Sequence, residues 1–211
     1  MHAQTLAKLA EHLRDDEIHV WCLDYRPQHG RTPLLSVLAA YLGTGAERVA
    51  LTMGEHGRPA LAFAHDQSLG FNWSHSGSHA LIAIGRHVTP GIDVEQVRER
   101  PRAVAIAERF FSTGEAAGLA GLPPAERTLA FLELWTAKEA VLKALGRGIA
   151  FGLDRLSVAA SAGRLTLQLL EGDDVGAWQL HRLDVGPALV AALAWRGGPR
   201  RIRLGRLASA D

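Results

Sequence analysis

The segment Gly91-Ile92-Asp93-Val94-Glu95 alternates apolar and acidic residues, and this alternation constrains the chain more than any other stretch. Side chains two apart in a strand share a face, so Asp93 and Glu95 project together while Ile92 and Val94 enter a core. Two carboxylates held that close need a cation. A hard divalent ion with oxygen ligands is the usual remedy, and magnesium takes one or two carboxylates together with phosphate oxygens of a substrate. The chain reads as one built to hold a phosphate.

A second constellation lies in Trp135-Thr-Ala-Lys138-Glu139-Ala-Val-Leu-Lys143. Trp135, Glu139 and Lys143 recur at i, i+4 and i+8, which places an aromatic ring, a carboxylate and an ammonium on one helical stripe. Taken alone, the stripe also fits a core tryptophan beside a surface ion pair worth about 0.2–0.5 kcal/mol. The acid pair alone likewise fits the wet face of a half-buried strand. Together they form an inventory for binding a metal-bridged pyrophosphate. The carboxylates hold magnesium, Lys143 faces phosphate charge, and Glu139 orients or deprotonates an attacking hydroxyl.

The rest of the composition narrows the class. Over 211 residues, 47% hydrophobic and 21% charged, the chain can bury a proper core. A net charge of +1 removes the general electrostatic case for nucleic acid or an anionic membrane, so local clusters must carry any such role. The single cysteine, Cys22, has no internal disulfide partner, and no Cys and His spacing marks a zinc site. Charges run through the first twenty residues, and no apolar run approaches the length of a membrane span. The expected location is the cytoplasm.

Helices and short strands interleave along the chain. Ile18 to Asp24 reads as a first strand, and Thr32 and Pro33 open a helix as cap and first-turn residues, with Gly43 ending it. Val49 to Met53 and Pro59 to Phe63 flank a hairpin turn at 54–57, and Phe71 to His75 and His79 to Ile84 are further strands. After Pro101 come a helix from Arg102 to Phe110, a turn at Ser112-Thr-Gly, and a long helix from about Ala125 to Leu145. Four strands, 156–159, 165–169, 178–183 and 189–195, read as a closing meander. A boundary near Thr89 and Pro90 gives two α+β halves, 1–89 and 90–211.

Taken in order, Asn72-Trp-Ser74-His75-Ser76, Gly91-Ile-Asp93-Val-Glu95, Arg109-Phe-Phe-Ser-Thr-Gly-Glu115 and Trp135-Thr-Ala-Lys138-Glu139-Ala-Val-Leu-Lys143-Ala-Leu-Gly146 resemble the motifs of the 4'-phosphopantetheinyl transferases. The chain is similar to the larger, single-chain surfactin-type branch, over a stretch from about Gly54 to Phe151. Four ordered motifs are specific where a lone Asp-x-Glu is not.

The resemblance implies a fold of two similar α/β halves in tandem, related by a pseudo-twofold. Each half is a small antiparallel sheet packed with helices: 1–89 on the coenzyme A side, 90–211 carrying the metal site and the long helix, the active site in the cleft between. It implies transfer of the phosphopantetheine arm of coenzyme A to a serine of an apo acyl or peptidyl carrier protein, with magnesium, releasing adenosine 3',5'-bisphosphate. By motif match, Asp93, Glu95 and Glu139 bind the metal and Lys143 contacts the pyrophosphate. Glu139 also activates the serine, and Ser74 and His75 lie against the coenzyme phosphates. Arg58 stands where the family has a lysine that reaches the nucleotide, and its planar fork suits phosphate. The basic residues that family members carry on the helix before the hairpin are missing from 34–42, with Arg26 and Arg31 just upstream. A monomer is implied.

Arg98, Arg100 and Arg102 form one basic cluster, and Arg196, Arg200, Arg201, Arg203 and Arg206 another. Each is either a carrier-facing rim, as the resemblance implies, or a solvated face. Two other readings stay open: a magnesium-dependent coenzyme A or nucleotide pyrophosphatase in which water replaces the serine, and a non-catalytic carrier-binding module.

Overall fold

Residues 3–161 and 163–207 are described by the computed structural model. The chain opens with helix α1 (Ala3–Ala10) and strand β1 (Glu17–Asp24), then helix α2 (Thr32–Leu42). Thr32 is the first helical residue rather than the cap, which falls on Arg31 with no side-chain bond. Pro33 sits in the first turn, and Gly43 closes the helix in the left-handed region at φ 60°, where a β-carbon would be strained. Strands β2 (Leu51–Met53) and β3 (Pro59–Leu61) form the expected hairpin. Strands β4 (Leu69–Ser76), β5 (His79–Arg86) and β6 (Gly91–Gln96) follow.

The second part holds α3 (Ala103–Phe110), α4 (Thr113–Gly121) and the long α5 (Pro124–Leu145). The turn expected at Ser112-Thr-Gly is instead the start of α4. Ser112 Oγ accepts from the Glu115 N–H, and the Glu115 carboxylate accepts from the Ser112 N–H, a reciprocal cap that begins a helix. Strands β7 (Leu156–Ser161), β8 (Arg164–Leu170), β9 (Trp178–Leu183), β10 (Leu189–Arg196) and β11 (Arg201–Leu207) complete the chain.

The four expected late strands exist but are not one meander. β7 and β8 pair only with each other, while β9 and β10 join β6 in a three-stranded antiparallel sheet of order β6-β10-β9. A four-stranded sheet has the order β11-β1-β5-β4. Its last strand runs parallel to β1, from Glu17 opposite Arg201 to Leu23 opposite Leu207, so the 90–211 segment returns to the sheet of the 1–89 segment.

The two sheets pack face to face. Ile18, Val20, Cys22, Leu81 and Ala83 from the four-stranded sheet meet Ile92, Val94, Ala191, Leu193 and Trp195 from the other. Trp21, Leu23, Ile82 and Ile84 point the opposite way, onto Leu34, Val37 and Leu38 of α2. Val190, Ala192 and Ala194 point onto α5, where Ala137, Ala140 and Val141 receive them. The layers therefore run helix, sheet, sheet, helix, with the α+β character expected. β5 is buried on both faces, which explains its unbroken apolar run from Ala80 to Ile84.

The C-terminal arginines are largely spent on this architecture. Arg203 pairs with buried Glu17 at 2.8 Å, Arg196 with Asp173 at 3.0 Å, and Arg200 donates to the Arg86 carbonyl at 2.8 Å. Burial would raise the Glu17 carboxyl, but its bonds to Arg14 and Arg203 bring it down to about 2.

Candidate active site

The site forms where β4 and β6 lie side by side under the C-terminal half of α5. β6 pairs with β10 along one edge only. Its other edge is satisfied by side chains: Asn72 Oδ1 accepts from Ile92 N at 2.9 Å, and Ser76 Oγ accepts from Gln96 N at 3.1 Å. The polar residues of β4 at 72, 74 and 76 thus share one face and meet Asp93 and Glu95, which share a face of β6. Ser74 Oγ donates to Asp93 Oδ1 at 2.7 Å and Ser76 Oγ to Glu95 Oε2 at 2.9 Å.

Gly91 lets α5 come this close. A β-carbon there would stand 2.0 Å from the Ala140 carbonyl oxygen and 2.4 Å from the Ala144 nitrogen, both backbone atoms that cannot swing aside. Glycine therefore begins the strand that carries Asp93.

Lys143 Nζ reaches across to Asp93 Oδ1 at 2.7 Å and to the Ile92 carbonyl at 3.2 Å. Arg100 Nη2 lies 3.0 Å from Glu95 Oε2. Asp93 and Glu139 are 6% and 8% exposed, and Asp93 Oδ2 and Glu139 Oε1 are buried with no hydrogen-bond partner. Burial first, and then the Asp93 charge, push the Glu139 carboxyl up to about 7, Lys143 opposing and Glu95 adding to the rise. The three carboxylates are thus within electrostatic reach, but they do not form a ready-made shell. Among the described residues no group of three or more His, Cys, Asp or Glu is arranged to hold a metal ion.

Buried carboxylate oxygens without donors are costly, and native structures rarely leave them so. Two of them, on facing elements, fit an ion that binds hard oxygen donors.

The other expected contacts separate. Ser74 and His75 are neighbours in a strand and point to opposite faces. Ser74 serves Asp93, whereas His75 is exposed and stacks on Tyr25 at 4.5 Å between ring centroids. Arg58 is half-buried, and its guanidinium donates to the carbonyls of Phe71 at 2.8 Å, Pro90 at 2.9 Å and Lys143. Burial lowers it to about 10. Its fork ties β4, the entry to β6 and the end of α5 together.

The model of the 4'-phosphopantetheinyl transferase superfamily matches residues 89–194. The 4'-phosphopantetheinyl transferase HetI of Nostoc is 34% identical over 199 residues, 91% of this chain and 82% of that protein. The chain belongs to the 4'-phosphopantetheinyl transferase superfamily. The transferase Sfp of Bacillus subtilis is 27% identical over 181 residues, covering 85% of this chain and 79% of Sfp. Against a Synechocystis relative, 33% identical, the chain spans 61% of that protein's length, and against psf-1 of Bacillus pumilus 54%. Among solved structures, the holo-[acyl-carrier-protein] synthase of Thermotoga maritima superposes with a TM-score of 0.41 at 23% identity, over 51% of this chain and 62% of that one.

The span matched by the superfamily contains Asp93, Glu95, Glu139 and Lys143, while Arg58, Ser74 and His75 precede it. The structure gives two groups of motif residues a supporting role that their motifs did not specify. Lys138, fully buried, donates to the carbonyls of Leu153 at 2.9 Å and Leu156 at 2.5 Å and pairs with Glu115 at 2.7 Å. Glu115 Oε1 in turn accepts from Val158 N at 2.9 Å. This knot joins α4, α5 and β7 and holds the helix residue just before Glu139 in place. The second support is the Asn72-x-Ser74-x-Ser76 stripe, whose period of two matches that of Asp93 and Glu95.

Proposed function

We propose that the protein transfers the 4'-phosphopantetheine arm of coenzyme A to a serine of an apo acyl or peptidyl carrier protein, releasing adenosine 3',5'-bisphosphate, with magnesium. Family membership supports the reaction class. The observation that carries the site is a pair of buried oxygens with no hydrogen-bond partner, Asp93 Oδ2 on β6 and Glu139 Oε1 on α5, with Lys143 on the other oxygen of Asp93. Asp93 and Glu139, with Glu95 next to them, are the residues to hold the ion. When bound, magnesium would neutralise charge on the bridging and leaving oxygens of the pyrophosphate.

The chain's own residues do the rest. Lys143 Nζ pairs with Asp93 Oδ1, and its ammonium is the donor positioned to meet phosphate charge. Glu139, with its carboxyl near 7, is poised to take the proton from the serine hydroxyl as that oxygen attacks phosphorus. The bond between phosphorus and the leaving phosphate oxygen breaks in line, so positioning carries most of the acceleration. Ser74 orients Asp93, and Arg58 fixes the main chain of Lys143 rather than gripping the nucleotide. His75, exposed over Tyr25, is the residue of the Ser-His pair that can reach the coenzyme. One chain supplies both walls of the site, so a monomer suffices.

Intact mass spectrometry of candidate apo carriers, mixed with the protein, coenzyme A and magnesium, tests this reading. A gain of one phosphopantetheine on the carrier is expected. Bisphosphate release that proceeds equally well without carrier would assign a pyrophosphatase instead.

A further inference from the structure

A groove of about 340 Å3 lies where β11 forms one edge of the four-stranded sheet, with β4 and its Ser74 at the opposite edge. That volume falls in the range of small-molecule sites, about 300–1,000 Å3. Parallel register sets Arg201 beside Glu17, Arg203 beside His19 and Gly205 beside Trp21, so these six share the sheet face that α2 covers further in. Leu9 of α1 and Leu204 also line the groove, and they are 38% and 45% exposed.

The polar part of its lining is His19, which is 3% exposed. Trp21 Nε1 donates to the Tyr41 hydroxyl oxygen at 2.8 Å, and that oxygen stands 2.7 Å from His19 Nδ1. Burial pushes the Tyr41 hydroxyl up, so it keeps its proton, and burial pushes His19 down against the pull of Glu17, so its ring is neutral. With its oxygen accepting from Trp21, Tyr41 gives its proton to Nδ1, which places the ring proton of His19 on Nε2. His19 Nε2 is buried with no hydrogen-bond partner, and Glu17 Oε2, 3.6 Å away, is beyond hydrogen-bond reach. The Glu17 charge is already answered, because Arg14 and Arg203 both donate to its Oε1 at 2.8 Å. Arg203 uses its Nε for that bond and its side chain is 50% exposed, while Arg201 is exposed beside it.

We propose that this groove is a second binding site, separate from the transferase site, for a small free carboxylate with an apolar chain. Arg201 and Arg203 take the anionic head beside the N–H of His19, and Leu9, Leu204 and the Trp21 ring take the chain. A buried donor without an acceptor is costly, and a carboxylate oxygen supplies one. An alcohol of the same length brings no charge to the arginines, and an amine brings the wrong one.

Isothermal titration calorimetry of octanoate into the full chain, with and without saturating coenzyme A, tests it. One octanoate is expected to bind equally well in both conditions, with octanol and octylamine binding far more weakly. Arg201→Gln should weaken octanoate about threefold to fivefold and His19→Phe about tenfold. Leu204→Glu should remove binding by setting a carboxylate against the ligand's own. Circular dichroism and melting check the fold, and the exposed positions 201 and 204 decide the question even if His19→Phe does not fold. No octanoate binding by the wild type at millimolar concentration, equal binding of octanol or octylamine, competition with coenzyme A, or undiminished binding in any folded variant overturns the proposal.

Discussion

Lys143 Nζ and Ser74 Oγ both use the same oxygen of Asp93, Oδ1, each at 2.7 Å, and leave Oδ2 bare. An internal ion pair that consumed both oxygens would close the site. Here one oxygen anchors the side chain and the other is left without a partner, as is one buried oxygen of Glu139 on α5.

Glu139 makes the metal-free protein less stable as pH rises. Its carboxyl lies near 7 in the folded chain against an ordinary 4.5, so the folded state binds more protons than the unfolded one between those values. Unfolding free energy therefore falls through that window, by at most about 3 kcal/mol, and the loss is complete above it. Glu139→Gln should gain stability over wild type at pH 8 and show little gain at pH 4.5. Urea melts without divalent ions check this, and a difference that is equal at both pH values would contradict it.

Lys138 should matter to folding, because its buried ammonium holds three elements together. Lys138→Met leaves the buried Glu115 carboxylate without its cation and two carbonyls without a donor, and the expected cost is about 3–5 kcal/mol. The double variant Lys138→Met with Glu115→Gln should recover part of it. Denaturant titration of the three proteins measures both effects.

Arg58→Lys keeps the charge but cannot span the carbonyls of Phe71, Pro90 and Lys143. A loss of about 1–3 kcal/mol is expected, with turnover falling more than coenzyme A affinity. Unchanged melting with a raised KM for coenzyme A would instead make Arg58 a nucleotide contact.

Gly91→Ala forces a methyl into the backbone of α5 at Ala140 and Ala144. The helix must move off β6, so we expect overpacking of about 1–3 kcal/mol and a larger loss of activity than of stability. Thermal melting beside carrier modification tests the split.

What was legible in the sequence was local and periodic. The period of two in 91–95 and the i, i+4, i+8 stripe of α5 place Asp93, Glu139 and Lys143 on the faces they occupy. The sheet partners of β9 and β10 were not legible, because strand pairing is a non-local choice: β10 pairs back to β6 across all of α3, α4 and α5, and β9 joins the sheet through β10. Helix α4 hid behind Gly114, Gly118 and Gly121, and its signal was the capping pair Ser112 and Glu115. Strand β11 hid because Arg201, Arg203 and Arg206 read as a basic cluster, although the first two alternate with Ile202 and Leu204 as a strand does and Gly205 leaves room for the Trp21 ring. Arg58 read as a phosphate ligand by its motif, and nothing local could reveal three backbone carbonyls converging on it.

The most direct measurement is the intact mass of an apo carrier incubated with coenzyme A, with and without Mg2+, and with wild type or Asp93→Asn at matched folded concentration. The wild-type protein is expected to add a phosphopantetheine only when Mg2+ is present, and Asp93→Asn to do so at a rate about 10²–10³ lower. Carrier modified by Asp93→Asn at the wild-type rate would contradict it.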